Sequence, residues 1–563
     1  MKFPLSMCAL ASFVIGQQAP SLNPAPATTN ASISGIVRDA GTGTPLPNYI
    51  VATDVNATWV DNAIIETKTT REIRSTTDDQ GRYKLNDLPP DRYRVTVTNP
   101  QRGFLTSVTK TITLNGASLD GINFNMVREG SISGKVVDQN GEPIPGLTVH
   151  LISREYFEGS LGYFFKGAGN TNDRGEYTIE GVAPGHPYLV LVEERPGKVP
   201  AHSDVPLNPK LRRRIPERTW YPGTDQKESA MVVVIRAGEH REGIDIEVRK
   251  SPSYCIEGAF QTPRGPAETD FRIEPLQPSS GVSNGGGMYF AMSTGSTPSD
   301  GKFRICNLYP GAYRLTGMEN QSPDSLPAAF SATTLTILDR DLQNLSVPAL
   351  PRLSLSGEVI WEGDAPQDPI TAHVTVFLQP LLRTMFMGES LDVRPNVGEG
   401  FSFPSLLMDD YAVSSMLRVP GMYINDITYG GQSVMHERLR LGSAVGNTGM
   451  RVVIGRDGAK FTAQVADKDG NPAQNMRVLI LPELIASEAM LADVLITGES
   501  DQMGQYTSRT LAPGKYYVVA CDQEFDSTPE SIAKLWRSRT QFKEVELAPN
   551  GSAQIKLEPL KIE

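Results

Sequence analysis

The sequence predicts an all-β protein: a tandem array of about five small Greek-key-type β-sandwich modules, with one or two short helices in the last. Three observations carry this. A phrase recurs at 81–93, 175–188, 301–313, 400–411 and 504–516, made of a glycine, a nearby aromatic and a later tyrosine. Recurrence of that kind marks a string of small supersecondary units. The segments between the phrases alternate apolar and polar side chains, the period of a strand with one buried face. Finally, 51 glycines and 42 prolines in 563 residues supply the tight turns that many short strands require. A chain of this length exceeds one hydrophobic core, and modules of roughly 100 residues follow.

In chain order, residues 1–16 read as a signal peptide: Met1-Lys2 is positive, 3–15 is apolar, and Val14-Ile15-Gly16 fits the cleavage position. Cys8 after Leu5-Ser6-Met7 partly fits a lipoprotein signal, but Met7 suits the position before the cysteine poorly, so simple export is expected. The stretch 17–30, rich in Pro, Ala and Thr, reads as a linker. No later stretch is long and apolar enough for a membrane helix. The modules are predicted at 31–127, 130–250, 252–349, 351–457 and 458–563.

Each module opens with an alternating strand, such as Ser32-Ile33-Ser34-Gly35-Ile36-Val37 or Ser131-Ile132-Ser133-Gly134-Lys135-Val136. A glycine inside a strand signals a bulge or a close backbone approach. A tight turn follows, as at Asn140-Gly141 and Asp469-Gly470, where the dipeptide supplies positive φ. Asp467-Lys468-Asp469-Gly470 has two calcium-loop positions, yet lacks the bidentate Glu and reads as a hairpin turn. The phrase then provides two strands, with Pro184-Gly185, Pro310-Gly311 and Pro513-Gly514 turning between them. Closing strands follow at 243–248 and 553–557. Linkers as short as Arg128-Glu129 and Ser251-Pro252 predict a semi-rigid rod. In the last module Ser527 and Glu530 stand at capping-box spacing with Pro529 between them, so a short helix is expected through 532–536, and another within 484–495.

Together these strands, the Asp138-Gln139-Asn140-Gly141-Glu142-Pro143-Ile144-Pro145-Gly146 turn and the phrase itself resemble carboxypeptidase regulatory-like domains. Trp220-Tyr221-Pro222-Gly223-Thr224, followed by a strand and Ala237-Gly238-Glu239, is similar to a motif of secreted bacterial members. The resemblance covers most of 31–563, is strongest in the first two modules and thins in the fourth. It implies a transthyretin-like sandwich, akin to starch-binding-type folds. The family takes its name from a domain attached to certain metallocarboxypeptidases, and the likeness does not transfer their activity.

The formal charge of −11 gives no basic face for nucleic acid. The cluster Lys210-Leu211-Arg212-Arg213-Arg214 reads as a solvated loop. None of the six histidines has a Glu three residues on, and Arg440 stands where His436-Glu437 would need a second His, so no metal site is predicted. No nucleophile elbow and no phosphate loop occurs, no catalytic set is predicted, and no cofactor is called for.

Candidate carbohydrate contacts are Tyr156, Phe157, Tyr163, Phe164 and Phe165 in an insertion, with Trp220 and Tyr221 in a long connection. Exposed on one rim, their flat faces would stack on sugar rings. Alternatively they cap the sandwich edge or pack on a neighbouring module. Cys255 and Cys306 are a disulfide candidate, closing a loop worth up to ~4 kcal/mol on the chain-entropy model, or else two buried thiols. Cys521 reads as a core residue.

The expected function is that of a non-catalytic secreted or cell-envelope protein, periplasmic or extracellular, which binds, adheres or spaces. Its partners would be glycans or another envelope protein. Two alternatives stand beside it: a specific carbohydrate-binding protein acting through the second module, and an accessory subunit of a separate peptidase.

Overall fold

The computed structural model describes residues 31–562 except 56–57, 61–62, 66–69, 100–102, 104–106, 158–159, 195–199, 277–292, 321–327, 364–372, 381–391, 395–399, 409, 420, 436, 442–448, 486 and 524. The expected signal peptide and linker, with Cys8, lie outside the described residues, as does the turn Gly285-Gly286-Gly287.

The chain is all-β and forms five tandem sandwiches, each of two sheets. In the first, Ala31–Asp39 is flanked by Arg82–Leu88, antiparallel, and by Phe124–Met126, parallel. The facing sheet runs in the order Arg71–Thr76, Ile50–Val55, Asp91–Thr98, Ser107–Leu114. The second, third and fifth sandwiches repeat this plan, again with opening and closing strands parallel. The fourth widens the first sheet to five strands. Alternation decides what lies between the sheets: Ile33, Val37, Tyr83, Leu85, Tyr93, Val95 and Val97 all face one core.

The recurring phrase is explained residue by residue. An Asp or Asn begins it, and its side chain caps the turn: Asp78 accepts from the Gln80 and Arg82 amides, and Asn172 from those of Arg174 and Glu176. The glycine takes the left-handed region, with φ of 69°, 72°, 68° and 71° at Gly81, Gly175, Gly301 and Gly504. The final tyrosine ties its hydroxyl back to the turn: Tyr93 to the Pro89 carbonyl at 2.6 Å, Tyr313 to Tyr309, Tyr411 to Leu407 and Tyr516 to Ala512, each at 2.9 Å. This tyrosine corner is why the residue recurs. Removing only the hydroxyl, in Tyr411→Phe, is expected to cost about 1–2 kcal/mol by leaving a buried carbonyl unpaired, measured as a fall in the fourth sandwich's melting temperature.

The glycine of the opening strand has a different cause. A Cβ on Gly35 or Gly134 would overlap the carbonyl oxygen of Ile122 or Ile244, which leans across the strand. The same two carbonyls accept from Tyr83 and Tyr177, at 2.7 and 2.6 Å. At the hairpin turn, Asp467 accepts from the amides of Asp469 and Asn471 and so uses its carboxylate locally.

Two helices, α1 (Glu488–Val494) and α2 (Pro529–Ser538), belong to the fifth sandwich. Thr528, not Ser527, caps α2, its hydroxyl accepting from the Ser531 amide. The helices cover the outer face of the sheet, where Leu491, Ile532 and Leu535 pack on Leu479, Leu481, Val519 and Cys521.

In the third sandwich Cys255 and Cys306 form a disulfide across antiparallel neighbours, with Cα atoms 4.0 Å apart. Cys255→Ser with Cys306→Ser is expected to remove about 2–4 kcal/mol, seen as a lower melting temperature that reductant no longer changes. The remaining described thiol, Cys521, is buried, and burial raises it above the ordinary thiol range.

The rod expectation does not hold, because contacts run around the array and close. Arg128 pairs with Asp39 between the first and second sandwiches at 2.5 Å. In the basic cluster Lys210, Leu211, Arg213 and Arg214 are exposed, as expected of a solvated loop, and Arg212 departs from it. Arg212, its side chain 1% exposed, grips Asp341 of the third sandwich through both guanidinium nitrogens at 2.7 and 2.8 Å. Arg352 reaches the Ala328 carbonyl, joining third to fourth, and Tyr423 bonds Asp457 at the passage to the fifth. The fifth then returns to the first, where the Gln502 side-chain amide donates to the Thr113 carbonyl at 2.6 Å and accepts from its N–H at 3.1 Å. Gln502 thereby satisfies backbone groups on an edge strand. Short linkers restrict angles without dictating a straight line, which is why linker length alone misled.

Candidate functional site

The second sandwich carries the aromatic insertion, and two strands of 11 residues, Leu147–Phe157 and Ser160–Asn170, project it. The structure does not make these aromatics an open platform. Trp220 is 2% exposed, Phe164 5% and Tyr163 8%. Trp220 and Tyr163 lie with ring centroids 6.3 Å apart and pack with Ile152, Leu189 and Leu191 in a small second core outside the sheet. Phe165 is half-buried against that cluster, and Tyr221 against the main core. The Phe157 side chain lies outside the described ones.

The reason is local. Tyr188–Glu194 is apolar on both faces: Val190 and Val192 face the main core, and Leu189 and Leu191 face outward. An outward apolar face needs a cover, and the connection bearing Trp220 is that cover.

Beside this cluster lies a buried ionic group that sequence reasoning missed. The Glu193 carboxylate lies 2.9 Å from His150 Nε2 and 3.2 Å from Arg218 Nε, and all three side chains are buried. Sharing one carboxylate between two partners clamps the connection to the sheet. Pairing is also what makes three buried ionisable groups tolerable.

The tip of the insertion reaches the fifth sandwich. The Tyr156 N–H donates to the Ser527 carbonyl at 2.6 Å, and its ring packs against the helix cluster. Arg154 pairs with Glu530 at 2.7 Å, and His186 Nδ1 lies 2.5 Å from Asp526. Burial alone would raise the Asp526 carboxyl, but hydrogen bonds from His186, Ser531 and Thr528 outweigh it and hold the group far below the usual carboxylate range. A depressed acid stabilises above its unfolded pKa of about 4 and loses that contribution as pH falls through its folded value. Docking of the fifth sandwich on the second is therefore expected to weaken progressively below about pH 4, and Asp526→Asn to blunt that dependence. Amide exchange at 150–157 and 526–538 measures both.

Among the described residues no three or more His, Cys, Asp or Glu side chains are grouped to hold a metal ion. The described histidine side chains are dispersed: His150 is on Glu193, His186 on Asp526, His240 2.8 Å from the Ser131 hydroxyl, and His202 is exposed. A cavity of about 520 Å³ in the fourth sandwich is lined, among the described residues, by Ser356, Glu358, Thr428 and Arg451, with Glu358 paired to Arg451 at 2.8 Å. Among the described residues no helix is long and apolar enough to cross a membrane.

Fold and site together define an array of β-sandwich modules whose distinctive side chains serve contacts between modules. Residues 32–127 and 131–215 match the family model of the carboxypeptidase regulatory-like domain, so two tandem regions of the chain are similar to that domain. A comparison with curated proteins found no match. Among solved structures the chain is similar to the Bacillus anthracis TIE protein, at 10% identity, covering 97% of this chain and 76% of that one with a TM-score of 0.16. It is also similar to a Streptococcal ancillary pilin, at 11% identity, covering 57% and 100% with a TM-score of 0.19. A third is GBS52, the minor pilin of Streptococcus agalactiae, at 14% identity, covering 42% and 100% with a TM-score of 0.18.

Proposed function

We propose that the protein is an exported, non-catalytic scaffold whose sandwiches are held in a closed arrangement to present a fixed binding or adhesion surface at the cell envelope. The observation that carries this is the docking of the fifth sandwich on the first and second through Gln502, Asp526 and Glu530. Contacts over so many residues cost conformational freedom. They serve a protein that must hold surfaces in fixed relation, because a preorganised surface loses less entropy when it binds. The apolar run at 3–15 supports export.

The test is retention of the chain from residue 17 onward on envelope preparations of the source cell, beside a version ending at 457. Retention of the first and loss of the second is expected. Equal behaviour of the two, or peptide hydrolysis abolished by a chelator, would overturn the reading.

A further inference from the structure

The second sandwich leaves one strand edge bare. Beside Tyr188–Glu194 the extended segment Met231-Val232-Val233-Val234-Ile235 runs along the margin of the sheet. Its odd-numbered residues bond inward. The Met231 N–H donates to the Tyr221 carbonyl at 3.0 Å, Val233 and Tyr188 exchange N–H and carbonyl at 2.8 and 2.9 Å, and the Ile235 carbonyl accepts from the Gly185 N–H at 2.9 Å. Residues between them in an extended segment turn their backbone groups the other way. Among the described residues no hydrogen bond reaches the N–H or carbonyl of Val232 or Val234. Val233 and Ile235 enter the core, whereas Met231, Val232 and Val234 are 54%, 44% and 52% exposed. The corresponding edges of the first and fifth sandwiches are guarded. In the first, Gln502 takes the backbone of Thr113 on the strand beside Asp91–Thr98. In the fifth, the edge strand Lys543–Leu547 exposes Lys543, Glu544 and Glu546. Charge or a capping side chain keeps a sheet edge from pairing with another chain. The edge at 231–235 carries no charge and, among the described residues, no such cap.

We propose that this edge pairs antiparallel with the same edge of a second copy of the chain, about a two-fold axis at Val233. That register sets Val232 opposite Val234 of the second copy and Val234 opposite its Val232. Residues so opposed exchange both N–H and carbonyl, so the bare backbone groups of both copies are all met. The valines at 232 and 234 of both copies then share one face of the joined sheet, where β-branched pairs pack well. A slip by one residue would set bare groups against bonded ones and lose the match. The segment suits a copy of itself because it is uncharged while its flanks differ in sign: exposed Glu228 precedes it and exposed Arg236 follows. Antiparallel pairing brings those opposite charges to the same end of the joint. A strand of another protein would gain the backbone bonds without that match. The proposal stands on the second sandwich alone and goes beyond the scaffold reading.

The test is sedimentation of the chain from residue 17 onward over rising concentration, with amide exchange read at 231–235. A strand pair this short is a small interface, so a weak, reversible dimer is expected. The Val232 and Val234 amides should gain protection as concentration rises, while those of Met231 and Val233 are protected throughout. Val234→Lys, which sets a lysine from each copy on the joined edge, should weaken the dimer at least about tenfold. Its melting should match that of the unmodified chain, because the side chain it replaces is exposed. Leu207→Lys, at another exposed position of the same sandwich, should leave the dimer unchanged. A monomer at every concentration, a dimer untouched by Val234→Lys, or protection of Val232 and Val234 that ignores concentration or needs a different protein would overturn the proposal. The first of these would leave the closed scaffold standing, since solution scattering of the monomer reads that arrangement separately.

Discussion

Trp220→Ala is expected to destabilise the second sandwich by about 3–5 kcal/mol, the cost of emptying a large buried aromatic site that cannot fully collapse. The indole touches the outward-facing apolar cluster of Ile152, Tyr163, Leu189 and Leu191, and its backbone exchanges two hydrogen bonds with Thr224, of 2.7 and 2.9 Å. Deleting it opens the connection to water and uncovers Leu189 and Leu191 together. It also loosens the segment holding Arg218, so the carboxylate shared with His150 loses one cation. Trp220→Phe keeps most of the volume and should lose much less. The outcome separates two roles for the same residue. An exposed sugar contact could be removed with melting unchanged and binding lost, whereas a cover residue lowers the melting transition whatever ligand is present.

The second large effect is expected at the joint between the second and third sandwiches. Asp341→Ala should cost about 3–5 kcal/mol, because it leaves a buried guanidinium without its counter-charge. Arg212 spends its remaining donors on the carbonyls of Pro206, Leu207 and Ser253, and Asp341 also accepts the Cys255 N–H at 2.9 Å. One carboxylate thus ties the linker, the third sandwich's opening strand and the disulfide-bearing residue together. The hydrogen bonds from Arg212 lead the effects that hold Asp341 below its ordinary carboxyl range, with the Cys255 amide adding to them against burial. The stabilisation is present above the unfolded carboxyl pKa and fades as pH falls through the folded one. Arg212→Lys should not restore it, since an ammonium cannot reproduce a two-nitrogen grip together with three carbonyl contacts. Replacing both partners with apolar residues should recover much of the loss. A loss of under about 1 kcal/mol in Asp341→Ala, measured by calorimetric melting, would contradict this view of the joint.

The sandwiches were legible because their signals are local. Glycine at 81, 175, 301 and 504 takes positive φ, and tyrosine at 93, 313, 411 and 516 bonds a carbonyl four residues back, so each leaves a mark at fixed spacing. The burial of the rim was left open between exposed contacts and edge caps, although a further signal bears on it. Leu189 and Leu191 interrupt the alternation of Tyr188–Glu194, and Leu479 and Leu481 do the same in Arg477–Pro482. A strand without alternation is buried on both faces, and each here carries a cover: the Trp220 connection in one case, α1 and α2 in the other. The closure of the array was not legible. His186 meets Asp526 from 340 positions away, and Gln502 meets Thr113 from 389. No periodicity connects residues so far apart. Arg212 misled for a related reason: a run of basic residues resembles a solvated loop until the carboxylate that meets it, 129 positions on, is in place.

The central claim is that the fifth sandwich returns to the first and second. Solution scattering of the chain from residue 17 onward tests it most directly, with Arg154→Ala combined with Asp526→Ala and Gln502→Ala as the opened control. The expected result is a profile that fits the closed arrangement at neutral pH and lengthens in the control. A profile already that of an extended string of sandwiches, unchanged by the three substitutions, would contradict it.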